Sequence, residues 1–352
     1  MDFVYKFPVV KGCQAGKDYY IAMVPLKMIN RLFPADDEYV LPEFRAQRKL
    51  NESRIPVISK YIIDNRENYV FSALAASIDG EYQFKAIDNN SDIGILEVSM
   101  DAHFLINDGQ HRKAAITEAL KEDSSLGEET ISVVFFEDKG LERSQQIFTD
   151  LNKHAVKTSN SISELYDSRD LLAIATRNVI SNVAFLEEYT DKEKDNLGKF
   201  SSKLFTLNTF YRANKRILKK SSCEKKEEAF LLTFWQLVAD NILPWKELEN
   251  KEISKIDLRE NYIVTQGIVI QALGVIGRSL INESEENIKN ALYKLRDINW
   301  KRSEVSWKQR AIRNDGKILA NETAIILTAN IIKKHLGISL TEDELEKEKK
   351  NL

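Results

Sequence analysis

The strongest constraint on this chain is a change of hydrophobic period near residue 160. Before it, apolar residues recur in short β-type runs broken by turn residues; after it, they recur every three to four residues. The first part predicts strands over residues 18–24, closed by Pro25, over 69–78, closed by Asp79-Gly80, and over 94–100. The last alternates Ile95, Glu97 and Ser99 against Leu96, Val98 and Met100, as a half-buried strand does. The run Ile131-Ser132-Val133-Val134-Phe135-Phe136 predicts a strand covered on both faces. Between the early strands, Ile55, Ile58 and Ile62 recur at helical spacing, with Asn51 as N-cap; Pro56 is tolerable only in a first turn, so this helix starts near Ser53. Strands mixed with helices imply a small mixed sheet, hence an α+β or α/β arrangement. Residues 141–152 read as a helix and 157–161 as a loop. Helical patterns then fill 165–184, 206–220, 229–242, 262–281, 288–295 and 322–336 with little glycine or proline. The expected organisation is an α+β domain over 1–160, an all-helical domain over 161–340 and a charged tail over 341–352, an exposed short helix or frayed end.

Within the first part, a strand-like segment (His103-Phe104-Leu105-Ile106) runs into Asn107-Asp108-Gly109-Gln110-His111-Arg112-Lys113 and then a helical segment from Ala114. A glycine turn entering a helix offers unpaired backbone N–H groups to an anion, and Arg112 adds a guanidinium fork. Asp108 complicates this reading, because a carboxylate repels phosphate unless it caps the helix or meets a metal. The alternative is structural: Asp108 caps, Gly109 turns, and Arg112 pairs with a neighbouring carboxylate. His111 is a candidate general acid or base, or a hydrogen-bonding residue.

Asp108-Gly109-Gln110-His111-Arg112 resembles the signature of the DGQHR-domain family, and within it the DndB-like accessory proteins of bacterial DNA phosphorothioation. Gln47-Arg48 with Arg54, the stretch Tyr69-Val70-Phe71-Ser72-Ala73-Leu74, and Asp150-Leu151-Asn152-Lys153 share that resemblance. It implies an N-terminal domain of ParB/sulfiredoxin-like type that binds a nucleotide or acts at DNA. It further implies a DNA-binding regulator that restrains modification and controls transcription of the modification genes. Asp108 and His111 are then the catalytic candidates, and Gly109, Gln110, Arg112, Arg48 and Asn152 the nucleotide- or phosphate-binding ones. ATP or another nucleoside triphosphate with Mg²⁺ is the candidate cofactor, and a hydrolase at the same turn is the alternative function.

Charge narrows where DNA could bind. The net charge of −3 excludes a globally basic binder, so contacts must come from local patches. Arg212, Lys215, Arg216, Lys219 and Lys220 form the best one, beside Phe210 and Tyr211; the plain alternative is a solvated basic helix face. A second basic stretch holds Lys301, Arg302, Lys308, Arg310, Arg313 and Lys317. Cys13 and Cys223 are the only cysteines, which fits a reducing cytoplasm and neither a disulfide framework nor sulfur carriage. The four histidines show no metal-ligand spacing, so no metal site is expected. The sequence shows no Walker A, GxSxG or HExxH motif, no signal peptide and no membrane span. The expected partners are DNA and other phosphorothioation proteins; a homo-oligomer stays open.

Overall fold

The computed structural model describes residues 3–34, 50–89, 91–137, 146–151, 158–198 and 200–351. The chain forms two compact units, residues 1–156 and 157–352.

The first unit is built on strands β1 (Val4–Gln14), β2 (Lys17–Pro25), β3 (Leu74–Asp79), β4 (Tyr82–Ala86), β5 (Ile93–Ser99), β6 (His103–Asp108) and β7 (Thr130–Glu137). They form one mixed sheet in the order β4-β5-β1-β2-β7-β3-β6, parallel at β3–β7 and antiparallel elsewhere. Helices α1 (Leu26–Leu32), α2 (Ile55–Asp64) and α3 (Gln110–Glu122) supply Leu26, Ile29, Leu32, Ile62, Ile116 and Ala119 to the core. Phe7, Val24, Leu96, Val98, Val133 and Phe135 join them from the strands.

Three details differ from the sequence expectation. Strand β1 occupies the middle of the sheet although Pro8 lies within it, and a proline lacks the ladder N–H that a central strand uses. A two-residue turn at Ala15 (φ 50°) and Gly16 (φ 72°) joins it to β2. The strand expected over 69–78 begins only at Leu74, because groups before it are engaged elsewhere: Val70 N–H donates to the Tyr61 hydroxyl, and the Ser72 and Ala73 carbonyls accept from Arg112. In β7, Ile131, Val133 and Phe135 are buried and the intervening side chains half-buried, so one face of the strand is covered more fully than the other.

The second unit is mainly helical; its described residues also hold a two-residue strand pair, Thr190–Asp191 with Phe205–Thr206, and isolated bridges such as Tyr262 with Lys301. Its helices include Asn160–Tyr166, Leu171–Asn182, Leu207–Leu218, Lys225–Asn241, Gly267–Leu280, Glu285–Tyr293 and Glu322–Leu336. A mixed α/β unit followed by a helical one is the fold class expected. Trp235, Trp245, Trp300 and Trp307 are all fully buried in this second core. Residues 342–351 form a helix, and its Glu344 is buried against Lys333. Among the described residues, no helix is long and apolar enough to cross a membrane.

Candidate functional site

Strand β6 ends at Asp108, opposite Ala75 where the β3–β6 register shifts, and such irregularities re-aim side chains. Gly109 then adopts φ 103° as the N-cap of α3, a conformation that favours glycine. A Cβ at this position would stand 2.4 Å from Leu74 Cδ2, so space and dihedral both require glycine.

Arg112 is engaged within the protein through both terminal nitrogens. Its Nη1 donates to the Ser72 carbonyl at 2.7 Å, the Ser72 hydroxyl at 2.5 Å and the Ala73 carbonyl at 2.7 Å. Its Nη2 meets Asp108 Oδ2 at 2.5 Å, one helical turn away. Thus Asp108 does not cap α3, whose N-cap has no side-chain hydrogen bond; it neutralises Arg112. The pair fastens the motif turn to the segment leading into β3.

His111 Nε2 accepts the Asn51 backbone N–H at 3.1 Å. Asn51 in turn caps the short 3₁₀ turn Glu52–Arg54 through Ser53, which leads into α2 with Pro56 in its first turn. Gln110 is half-buried and opens α3. Asn107 is 1% exposed and donates to the Ser77 hydroxyl at 2.6 Å. The motif therefore ties three segments together: the approach to β3, the approach to α2 and the start of α3. Gln47, Arg48, Asn152 and Lys153 lie outside the described residues, and with them the phosphate-binding roles expected of Arg48 and Asn152.

A second polar network was not anticipated from sequence. Glu129 accepts from the Tyr69 hydroxyl and from Arg66 Nη1 at 2.5 Å, while Arg66 Nε meets Asp123 at 3.0 Å. Burial, reinforced by Glu129, pushes the Tyr69 hydroxyl far above its ordinary range, so it stays a donor. Arg66, Tyr69 and Glu129 border an open cleft of about 380 Å³ with Met23, Leu26 and Phe71.

In the helical unit, the basic cluster divides. Phe210, Ala213, Asn214, Ile217 and Leu218 are buried along Leu207–Leu218. Arg212 and Lys215 are exposed on the opposite face, and Lys219, the left-handed C-cap at φ 60°, is exposed just past the helix end. Arg216 instead forks onto Glu322 at 2.7 and 2.6 Å and donates to Gln271 at 2.8 Å. Lys220 pairs with Glu227 at 3.0 Å. Of the five candidate cations, two thus tie helices together and three face outward. In the second basic stretch, Arg310 pairs with Glu348, whereas Lys301, Lys308, Arg313 and Lys317 are exposed. The stacked Trp300 and Trp307 rings, 5.6 Å apart, support that irregular segment.

Beside the stripe lies Glu164. Asn208 donates to its Oε1 at 2.6 Å, while its Oε2 is buried without a partner. Burial pushes this carboxyl up to about 7, Asp195 and Asp170 add to the rise, and Asn208 and Arg212 oppose it.

No curated protein and no solved structure matches the chain. The profile of one protein family, DndB, described as DNA-sulfur modification-associated, matches residues 7–339. That match takes in both units and nearly the whole sequence, including the motif turn and the basic helix. The chain therefore belongs to the DndB family, whose members are associated with DNA sulfur modification.

Proposed function

We propose that this chain is a DNA-binding accessory protein that restrains phosphorothioation and represses transcription of the modification genes. The observation that carries the reading is the outward stripe formed by Arg212 and Lys215 on a helix whose other face is locked in the core, extended by Lys219 at its C-cap. Cations on a rigid element grip the DNA backbone without reading bases, and they do so even on a chain of net negative charge. Lys215 has no ion-pair partner among the described residues, so binding a phosphate would break nothing there. The partners of such a protein are duplex DNA and the other phosphorothioation proteins, in the cytoplasm. Deleting the gene should raise both phosphorothioate content and modification-gene transcripts. A Lys215→Ala, Lys219→Ala chain should fail to restore either, and full restoration by it would remove the stripe from the mechanism.

A nucleoside triphosphate with Mg²⁺ at the DGQHR turn, with hydrolysis by Asp108 and His111, has less support. It would need Arg112 to leave Ser72, Ala73 and Asp108 before gripping phosphate, and the Nε2 of His111 already accepts a backbone hydrogen bond. Gly109 is packed against Leu74 on one side, which narrows the approach to the turn. Phosphate release from ATP that is lost in Arg112→Ala, while that variant remains folded, would reverse this judgement.

A further inference from the structure

The helix Glu342–Asn351 follows the family-matched residues, which end at 339. A helix that docks by the hydrophobic effect turns an apolar stripe inward. This one does the opposite. Its single buried residue is a glutamate, Glu344, at 7% exposure. Leu345, its one large apolar residue, is 45% exposed.

What holds the helix is charge. Glu344 accepts from Lys333 Nζ at 2.6 Å, and Asn330 Nδ2 donates to the Glu344 carbonyl at 3.1 Å. Glu348 accepts both arms of Arg310, at 2.5 and 2.9 Å, and Lys334 Nζ at 3.1 Å. The Arg310 fork holds the Glu348 carboxyl down to about 2, so it is ionised throughout the physiological range. A carboxylate in a guanidinium fork occupies the geometry a phosphate would take. Exposed Lys308 and Arg313 flank Arg310 in sequence. Lys347 of the helix also lies within electrostatic reach of Glu322, the partner of Arg216, as does Lys219. The acidic helix and the outward basic stripe therefore share one neighbourhood.

The geometry points to a displaceable latch: the helix Glu342–Asn351 covers a phosphate-binding surface of Arg310, Lys333 and Lys334, and duplex DNA takes that surface by displacing it. This rests on the DNA-binding reading above and adds its regulation. The helix itself brings little apolar surface to the contact, so its attachment is mainly electrostatic, and the phosphates of a duplex can replace its carboxylates. Lys333, 2% exposed on its side chain, keeps the latch closed without DNA, because leaving its ammonium buried and unpaired is costly.

The test compares two full-length variants that remove the same unit of charge. Glu348→Gln breaks the fork, whereas Glu346, among the described residues, pairs only with Lys350 of its own helix, so Glu346→Gln leaves the docking intact. Binding to a fluorescent duplex is measured at several salt concentrations. Glu348→Gln should bind about fivefold more tightly at moderate salt and steepen the salt slope by about one to two units, with Glu346→Gln near wild type. Equal effects, or none, alongside clear wild-type binding would overturn the latch and leave the DNA-binding reading standing. Absence of binding by all three chains would overturn both. A second measurement needs no variant: tryptic cleavage after Lys347, followed by mass spectrometry, should accelerate when duplex is added. DNA that binds yet leaves that cleavage unchanged or slower contradicts displacement.

Discussion

Gly109 and Arg112 make opposite demands on the motif turn, one steric and one electrostatic, and each is separately testable. Gly109→Ala must place a Cβ at φ 103° against Leu74, so it should lower stability by about 3 kcal/mol in chemical unfolding. Arg112→Ala leaves the Ser72 and Ala73 carbonyls and the Asp108 carboxylate without their donor, a loss of about 2–4 kcal/mol. Asp108→Asn keeps an acceptor beside Arg112 and should cost less than about 1 kcal/mol, since Asp108 is partly exposed. An Asp108→Asn chain as unstable as Arg112→Ala would mean that the carboxylate does more than neutralise its neighbour. Glu164 gives a pH test. Its folded carboxyl titrates near 7 against an ordinary 4.5. Between those values the folded chain holds a proton that the unfolded chain has released, so stability falls as pH rises through the window. Glu164→Gln should therefore melt higher than wild type at pH 8, with the advantage vanishing near pH 5; a pH-independent difference would contradict this. The turn itself was legible in the sequence, because glycine between a strand and a helix has few other uses. The partners of Arg112 were not, since Ser72 and Ala73 lie about 40 residues away and only the sheet brings them near.

The helix Leu207–Leu218 is the element on which the functional reading rests, and its seat is narrow. Gly274 of Gly267–Leu280 faces Ala213, where an added Cβ would stand 2.6 Å from the Ala213 carbonyl oxygen. Fully buried Asn214 donates to Thr176 Oγ1 at 3.0 Å and accepts from Trp235 Nε1 at 2.7 Å, joining three helices. Asn214→Ala leaves the Trp235 N–H unpaired in the core and should lower stability by about 2–3 kcal/mol in thermal unfolding. A loss below about 0.5 kcal/mol would show that the helix is positioned by its apolar contacts alone. At this scale the sequence read well where period and caps agree: Glu322–Leu336 appears with the predicted bounds, between Asn321 as N-cap and Gly337 at φ 77°. It read poorly where a local breaker is overridden by neighbours. Strand β1 carries Pro8, a residue that disfavours a central strand, yet β2 and β5 pair with it on both sides. The charged residues 342–351 gave no apolar stripe to predict docking, because their attachment is ionic.

On the scale of the whole molecule, the chain joins a mixed sheet, which presents the family's turn, to a helical unit that carries the outward cations. The change of period near residue 160 made the two regimes legible without any contact information. What stayed hidden was the division of the basic cluster, because sequence cannot tell a cation facing solvent from one, such as Arg216, committed to a carboxylate 106 residues away. That division separates a phosphate-gripping surface from structural ion pairs, and salt dependence measures it. The most direct measurement is the slope of log binding constant against log salt for a duplex, comparing wild type with the Arg212→Ala, Lys215→Ala, Lys219→Ala chain. The account predicts a slope shallower by about one unit for each cation removed, with weakening that is uniform across DNA sequences. An unchanged slope in a folded triple variant would contradict it.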